Sequence, residues 1–309
     1  MESIATWYSG LLNNKELVHY IVIWMGTVFP IYVMMVSSKF TFKVIGQEIL
    51  NKKWLMLKVF FLVAVIFPLV VSGILKIFDV PLVLAAIMLI ASVAVGDPFD
   101  LVDAHGKKGS LLMASTAMIL LVFLMPLTVP FWIWVFSQWF PLHHLSAEPI
   151  NILTKVSAVA IVPMFLGLLI RQLSPKFADK MAVVLSWYFK ISAITITIIF
   201  FPAAIGKIVT IFGFTGIAVM MLVTTLTIIS GYLVAKGETR KDRISISLAC
   251  SLGNMAAVFF IAYHAYPDLE KNSDFLLTVF GWVVLRWLII YGWYFFMKYR
   301  VKKHGETLE

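Results

Sequence analysis

The fold of this chain is decided by an interruption in its hydrophobic sequence, "SVAVGDPFDLVDAHGKKG" at residues 92–109. A long apolar run ends here in Gly96, Asp97 and Pro98, and Asp100 and Asp103 follow at once. Glycine and proline interrupt helices, and carboxylates are costly in lipid. The stretch therefore predicts either the end of a membrane helix or a functional break inside one.

The composition indicates that lipid surrounds the stretch. Of the 309 residues, 61% are hydrophobic and 13% are charged, and the mean hydropathy is +0.95. A soluble domain of this length has too little interior to cover so much apolar surface. The single cysteine excludes an intramolecular disulfide. We expect residues 1–309 to form one all-α polytopic membrane domain.

Apolar runs give the number of helices. A helix needs about 20 apolar residues to cross the hydrocarbon core of a bilayer. Nine runs of roughly this length or more are present, at about residues 18–38, 54–76, 80–105, 110–139, 150–172, 178–205, 209–235, 243–265 and 273–297.

Charge predicts the orientation of these spans. Most of the 25 lysines and arginines lie in alternate loops, and such residues are retained on the cytoplasmic side. This predicts a multi-pass protein of the cell (inner) membrane with its N-terminus outside and its C-terminus in the cytoplasm. The net charge of +9 follows from this bias and attracts anionic lipid, so we expect no nucleic-acid partner.

A second interruption resembles the first. "ISISLACSLGNMAAVFFIAYHAY" at residues 244–266 places Gly253 and Asn254 inside an apolar span, five helices after the helix that contains Gly96. An odd shift reverses the orientation of a helix, so the pattern predicts an inverted repeat. Its first half covers about 18–140 and lacks an opening helix, and its second covers about 150–298. In such transporters, the substrate binds where the two interrupted helices meet.

Three segments carry a resemblance to a known family. They are "NKKWLMLKVFFLVAVIFPLVVSGILKIFDVPLVLAAIMLIASVAVG" at 51–96, "KKGSLLMASTAMILLVFLMPLTVPF" at 107–131 and "VPMFLGLLIRQ" at 162–172. The chain resembles the bile acid:sodium symporter family. The resemblance implies a transporter of nine or ten helices, with core and panel domains and two broken crossing helices.

The chain departs from that family at the sodium-binding positions that the resemblance implies. The residues at those positions are Asp100, Leu101, Ala114, Met118, Ser247 and Ser251. Na⁺ requires several hard oxygen ligands, and leucine, alanine and methionine supply none. We expect the family's two-sodium coupling to be altered. We predict that Asp100, facing Ser247 and Ser251, carries a proton or one cation (Na⁺ or H⁺) for coupling.

A second interpretation of the first break stays open. Asp97 is a suitable N-cap, Pro98 suits the first helical position, and Asp100 in the first turn interacts favourably with the helix dipole. Capping of a short helix at the cytoplasmic side accounts for all three residues without any transport role.

The candidate substrate-binding residues combine both breaks with two intramembrane cations: Gly96, Asp97, Pro98, Lys190, Gly253, Asn254 and Arg286. Lys190 either pairs with an anion or extends its long side chain towards an interface. Arg286 is too far from both ends of its span to do so, which favours an ion pair or a substrate contact. For Ser115 and Thr116, we expect hydrogen bonds to their own helix backbone.

Two functions fit these patterns. The favoured one is secondary active transport of a small organic solute, with no enzymatic activity, cofactor or resident metal. The family resemblance implies an organic anion, but Asp97 and Asp100 would repel an anion at the first break, so a cationic or neutral solute stays open. The alternative is an intramembrane enzyme that binds Mg²⁺ and a diphosphate lipid through Asp97, Asp100 and Asp103. Besides the solute and the lipid bilayer, the sequence predicts no partner, and it leaves the oligomeric state open.

Overall fold

The protein is a bundle of helices. The computed structural model describes residues 15–94, 110–140, 149–253, 255–265 and 274–304, and these residues contain no β-strand. The helices are α1 (Lys15–Ser37), α2 (Phe42–Asn51), α3 (Lys53–Ile77), α4 (Leu82–Val93), α5 (Leu111–Trp139), α6 (Pro149–Leu173), α7 (Pro175–Val234), α8 (Arg240–Ala249), α9 (Met255–Ala265) and α10 (Asp274–His304).

The long helices confirm a polytopic membrane protein. By length and apolar composition, five described segments are able to cross a bilayer: Lys53–Ile77, Leu111–Trp139, Ile150–Leu173, Pro175–Ile199 and Ile208–Val234. A sixth span is possible if α1 and α2, which bend by 81° at their junction, count as one. Leu82–Val93 and Leu277–Trp293 are shorter apolar helices beside the breaks.

Two features of the helices were not predicted. The polar stretch after α1 contains α2, whose N-cap Thr41 accepts a hydrogen bond from the backbone N–H of Val44. The runs at 178–205 and 209–235 correspond to two separate spans within α7, Pro175–Ile199 and Ile208–Val234, and α7 consists of two helices that join directly at a kink at Gly213 (φ 64°, ψ 171°). Glycine adopts this positive φ without the steric cost that a Cβ would bring.

A π-helical turn in α3 shows how proline and an aromatic residue fix the packing. The turn covers Leu62–Ile66, and Pro68 follows it. Proline has no N–H to donate to the carbonyl four residues earlier. That carbonyl, of Ala64, instead accepts a hydrogen bond from Nε1 of Trp132 at 2.7 Å, which joins α3 to α5.

Helix α4 lies at the centre of the bundle. Every side chain from Leu84 to Val93 is buried, and α4 packs against α3, α5, α9 and α10. Small residues such as Ala86 and Ala91 let neighbouring backbones approach closely, which is the main way in which helices pack within lipid. The first interruption thus follows a helix that is enclosed by protein.

Candidate functional site

The second interruption is a sharp break between α8 and α9. α8 ends at Ala249 with Cys250 as its C-cap, and Gly253 follows with φ 64°. An L residue with a side chain rarely adopts that conformation, so glycine permits the break. Asn254, the other predicted residue of this break, lies outside the described residues.

The second interruption contacts the helix that leads into the first. A Cβ placed on Gly253 would lie 2.8 Å from Cβ and 2.9 Å from Cα of Ala91, in the last turn of α4. α4 itself ends just beyond, where Ala94 has an extended backbone. The second break therefore rests directly on the end of the helix that leads into the first. The predicted residues Gly96, Asp97, Pro98, Asp100 and Asp103 follow immediately, outside the described residues.

Helix α10 brings a buried positive charge to this contact. Arg286 is fully buried, and its Nη2 donates a hydrogen bond to Oγ of Ser251 at 2.6 Å. Trp282, one helical turn earlier, approaches Gly253 with its Cη2 atom, and its ring lies 6.0 Å from the guanidinium carbon of Arg286. Residues four apart share a helix face, so α10 directs both side chains at the break.

The end of α8 is electrostatically suited to this arginine. The last carbonyls of a helix carry a partial negative charge, equivalent to about half an elementary charge. Ser251 lies just beyond the last residue of α8, and its backbone N–H bonds to the carbonyl of Leu248. The guanidinium therefore meets the negative end of α8 as well as the Ser251 hydroxyl.

The other predicted serine has a different environment. Ser247 is buried, and its hydroxyl donates to the carbonyl of Ile228 in α7 at 2.9 Å. The same helices touch at Gly231, where a Cβ would lie 2.7 Å from Cβ of Cys250. Ser247 thus fastens α8 to α7, whereas Ser251 faces Arg286. Their joint role with Asp100 in ion coupling stays a prediction.

The other intramembrane cation is on the outer surface of the bundle. Lys190 is exposed on α7, and its Nζ lies 5.4 Å from the ring centroid of Trp187, which is also exposed. This half of α7 is the least buried of the candidate spans. Lys190 is therefore exposed, unlike the buried Arg286, and its place in a substrate site stays a prediction.

Two buried hydroxyls depart from a sequence expectation, and a third, on another helix, has the same environment. Ser115 and Thr116 were expected to bond to their own helix, but within the described part of the chain neither side-chain oxygen has a hydrogen-bond partner, and nor does that of Thr224. All three residues are fully buried. Their helices, α5 and α7, both pack against α8.

A network at the opposite end of α8 was not predicted. Nζ of Lys52 lies 2.7 Å from Oε2 of Glu238 and 2.6 Å from Oδ2 of Asp242. Thr239 caps α8 by accepting from the backbone N–H of Asp242. The partners lie far apart in sequence, so no local pattern signals the network. The T-x-x-D spacing from Thr239 to Asp242 is the local signal from which the start of α8 could have been found.

A family comparison identifies the class of protein. The family model described as Sodium Bile acid symporter family matches residues 25–236, more than half of the chain. The chain therefore belongs to this family. A search of curated proteins found no significant match. The matched residues end just before α8, so Ser251, Gly253 and Arg286 lie beyond them.

Proposed function

We propose that the protein is a secondary active transporter that carries a small organic anion across the membrane by alternating access. The family match supports the transport of a solute. The observation that carries the proposal is the buried Arg286, whose Nη2 lies 2.6 Å from Oγ of Ser251 at the second break, beside the contact of Gly253 with α4.

A fixed positive charge at this depth favours an anion. Ionisable residues within membrane helices are costly, and they typically mark a substrate or ion pathway. A guanidinium presents five N–H donors in a planar fork that matches a carboxylate. The buried hydroxyls of Ser115, Thr116 and Thr224 supply further polar groups on helices that pack against α8.

The repeat organisation belongs to the same proposal. We place the first repeat at about 18–140 and the second at about 150–298, with α4 and α8 as the first halves of the two crossing helices. The contact between Gly253 and Ala91 supports this pairing. Transport then occurs by movement of the core, which contains both breaks, against the panel. The N-terminus lies outside and the C-terminus in the cytoplasm of the cell membrane.

Coupling is assigned to the first break. Asp100 follows the end of α4 by a few residues and supplies the carboxylate for a proton or one cation. Asp100→Asn in reconstituted vesicles is expected to abolish uptake driven by a pH or cation gradient. Uptake that kept its full ion dependence would rule Asp100 out as the coupling group.

Uptake by purified protein in liposomes tests the proposal. A panel of labelled organic anions, including small carboxylates and sterol conjugates, is compared with neutral and cationic analogues of the same size. We expect saturable uptake of an anion, and a loss of at least about 100-fold in Arg286→Gln, since binding then loses a charge-assisted contact. Arg171→Gln, which alters an ion pair with Asp179 on the protein surface, is the matched control and keeps normal uptake. Uptake restricted to cations would refute the proposal.

The enzyme alternative has no support beyond the spacing of its aspartates. Asp97, Asp100 and Asp103 all lie outside the described residues, and within the described ranges no cluster of acidic, histidine or cysteine side chains is suited to a metal ion. Transport is therefore the function that the family and the break together favour.

A further inference from the structure

We propose that the guanidinium of Arg286 is a resident cation that takes the place of a coupling sodium ion at the second break, so that the protein binds its solute without sodium. This inference rests on the proposed function. It assigns to the protein itself the positive charge that a sodium symporter of this family gains by binding a sodium ion from solution.

The position of the guanidinium carries the inference. In transporters with broken helices, cations bind at the C-terminal ends of the half-helices, where unpaired carbonyls concentrate negative charge. α8 is such a half-helix, and it ends at Ala249. Arg286 reaches Ser251, two residues beyond that end, at 2.6 Å. The cation that faces the end of α8 is therefore a side chain of α10 and not an ion bound from solution.

The residues around this point do not fit sodium. Oγ of Ser251 already accepts a hydrogen bond from a cation. Of the other described positions that the family resemblance implies as ligands, Ser247 directs its hydroxyl to the carbonyl of Ile228 in α7, and Ala114 has no oxygen atom in its side chain. Met118 offers a soft thioether, which instead accepts a hydrogen bond from the Tyr32 hydroxyl at 3.3 Å. Hard cations bind through several oxygen atoms, so this set of side chains is unsuited to Na⁺.

Electrostatics gives the same result. Both Arg286 and Ser251 are buried, so water screens the guanidinium charge weakly. A sodium ion at Ser251 would sit within a few ångströms of that charge and be repelled by it. An organic anion, by contrast, is attracted by the Arg286 guanidinium, which is always present. In a sodium symporter, the positive charge is present at the site only after sodium has bound. Solute binding is thus independent of sodium concentration, which leaves a proton as the ion that Asp100 couples to transport.

The first experiment measures sodium binding directly. Purified wild-type protein in detergent is incubated with radioactive ²²Na⁺, and bound ions are counted by scintillation proximity. We expect no binding that excess unlabelled NaCl displaces. We also expect the melting temperature (Tm) to be the same in NaCl and KCl at constant ionic strength. Displaceable sodium binding, or a Tm raised specifically by sodium, would overturn the inference.

The second experiment asks whether the site is built for a cation of this kind. Arg286→Ala removes the guanidinium, and free guanidinium ion at about 20 mM is expected to recover at least half of the lost Tm by binding in the space left behind. Urea, a neutral molecule of the same shape, is expected to give no recovery. The matched control Arg171→Ala loses a guanidinium at the surface, and guanidinium ion is expected to leave its Tm unchanged. If urea recovers the Tm of Arg286→Ala as well as guanidinium ion does, the positive charge is irrelevant and the inference fails.

A conservative variant covers the case in which Arg286→Ala does not fold. Arg286→Lys keeps a cation, so we expect a folded protein that binds no ²²Na⁺; sodium binding by this variant would contradict a resident-cation role. None of these measurements uses a transported solute. If no anion is taken up, the proposed function fails while these results stand. If an anion is taken up and sodium binds, this inference fails while the proposed function stands.

Discussion

The two ends of α8 follow the same electrostatic rule in different surroundings. At its start, Asp242 lies in the first turn, where negative charge is favourable, and Lys52 pairs with it. At its end, the cationic Arg286 reaches Ser251, where positive charge is favourable. The side chains of Lys52 and Glu238 keep 22% and 29% of their exposure, whereas Arg286 has none.

This difference is the reason why we propose a functional role for the buried contact and only a stabilising role for the partly exposed one. Partly exposed ion pairs contribute about 1 kcal/mol or less, because water competes for both charges and salt screens them. A buried charge costs much more to desolvate, and such charges within membrane helices generally serve function. We therefore expect changes at the Ser251 end to affect stability and transport together, and changes at the Lys52 end to have small effects on stability.

The largest effect is expected at Gly253. Gly253→Ala combines a positive φ with a Cβ within 3 Å of the α4 backbone, so the free energy of unfolding should fall by about 3 kcal/mol. Gly213→Ala is the matched control, because Gly213 has the same φ of 64° but nothing within 4 Å of its added Cβ. Its loss should be smaller by about 1 kcal/mol or more, because only backbone strain acts at Gly213 and no steric overlap adds to it. Thermal unfolding of both variants measures the difference. Equal losses would show that α4 and the second break are not in close contact.

The next effect is expected at Arg286. Arg286→Met keeps much of the side-chain volume but removes the charge-assisted hydrogen bond to Ser251, with a loss of about 2 kcal/mol in stability. Arg171→Met removes the partly exposed pair with Asp179 and should cost less than about 0.5 kcal/mol. The same unfolding assay compares the two. A loss at Arg286 as small as that at Arg171 would contradict the buried contact.

A smaller effect is expected at the other end of α8. Lys52→Met removes both pairs of its ammonium group, with Glu238 and with Asp242, and should cost about 1 kcal/mol because the network is partly exposed. Raising the salt concentration should reduce the difference between the variant and the wild type. A loss that is unchanged by salt would indicate packing of the Lys52 side chain as the cause.

The smallest effect is a dependence on alkaline pH. Desolvation lowers the pKa of Lys52, but hydrogen bonds and charges from Asp242 and Glu238 outweigh it, so the pKa is raised. The stabilisation is therefore fully present below the unfolded-state pKa of about 10.4 and is lost as the pH rises through the higher folded-state value. Wild-type protein should lose more stability than Lys52→Met when the pH is raised above about 10. Identical losses would show that Lys52 does not titrate as part of the network.

The sequence predicted much of the fold because lipid imposes simple rules. Apolar length gave the membrane-spanning helices, and Gly253 marked a break where one occurs. The sequence did not predict α2, because a short amphipathic helix resembles a polar loop in a search for long apolar runs. The gap between the apolar runs placed the boundary between the two spans of α7 near 205–209. The chain bends a few residues later, at Gly213, where the backbone has a positive φ.

The site was predicted less completely, because partners come from distant parts of the chain. The depth of Arg286 in its span indicated a contact within the bundle, but nothing local to it specified Ser251 on another helix. The polar pattern of α8 suggested that Ser247 and Ser251 act together, yet they face different helices. For Lys190, the sequence left two environments open, and its exposure beside Trp187 favours the surface.

The most direct test of the central claim is uptake of a labelled organic anion into liposomes, with external sodium replaced by potassium at constant ionic strength. If Arg286 supplies the positive charge at the break, wild-type uptake stays the same in both salts, and Arg286→Gln loses it in both. Uptake that disappears when sodium is removed, or that survives in Arg286→Gln, would contradict the account.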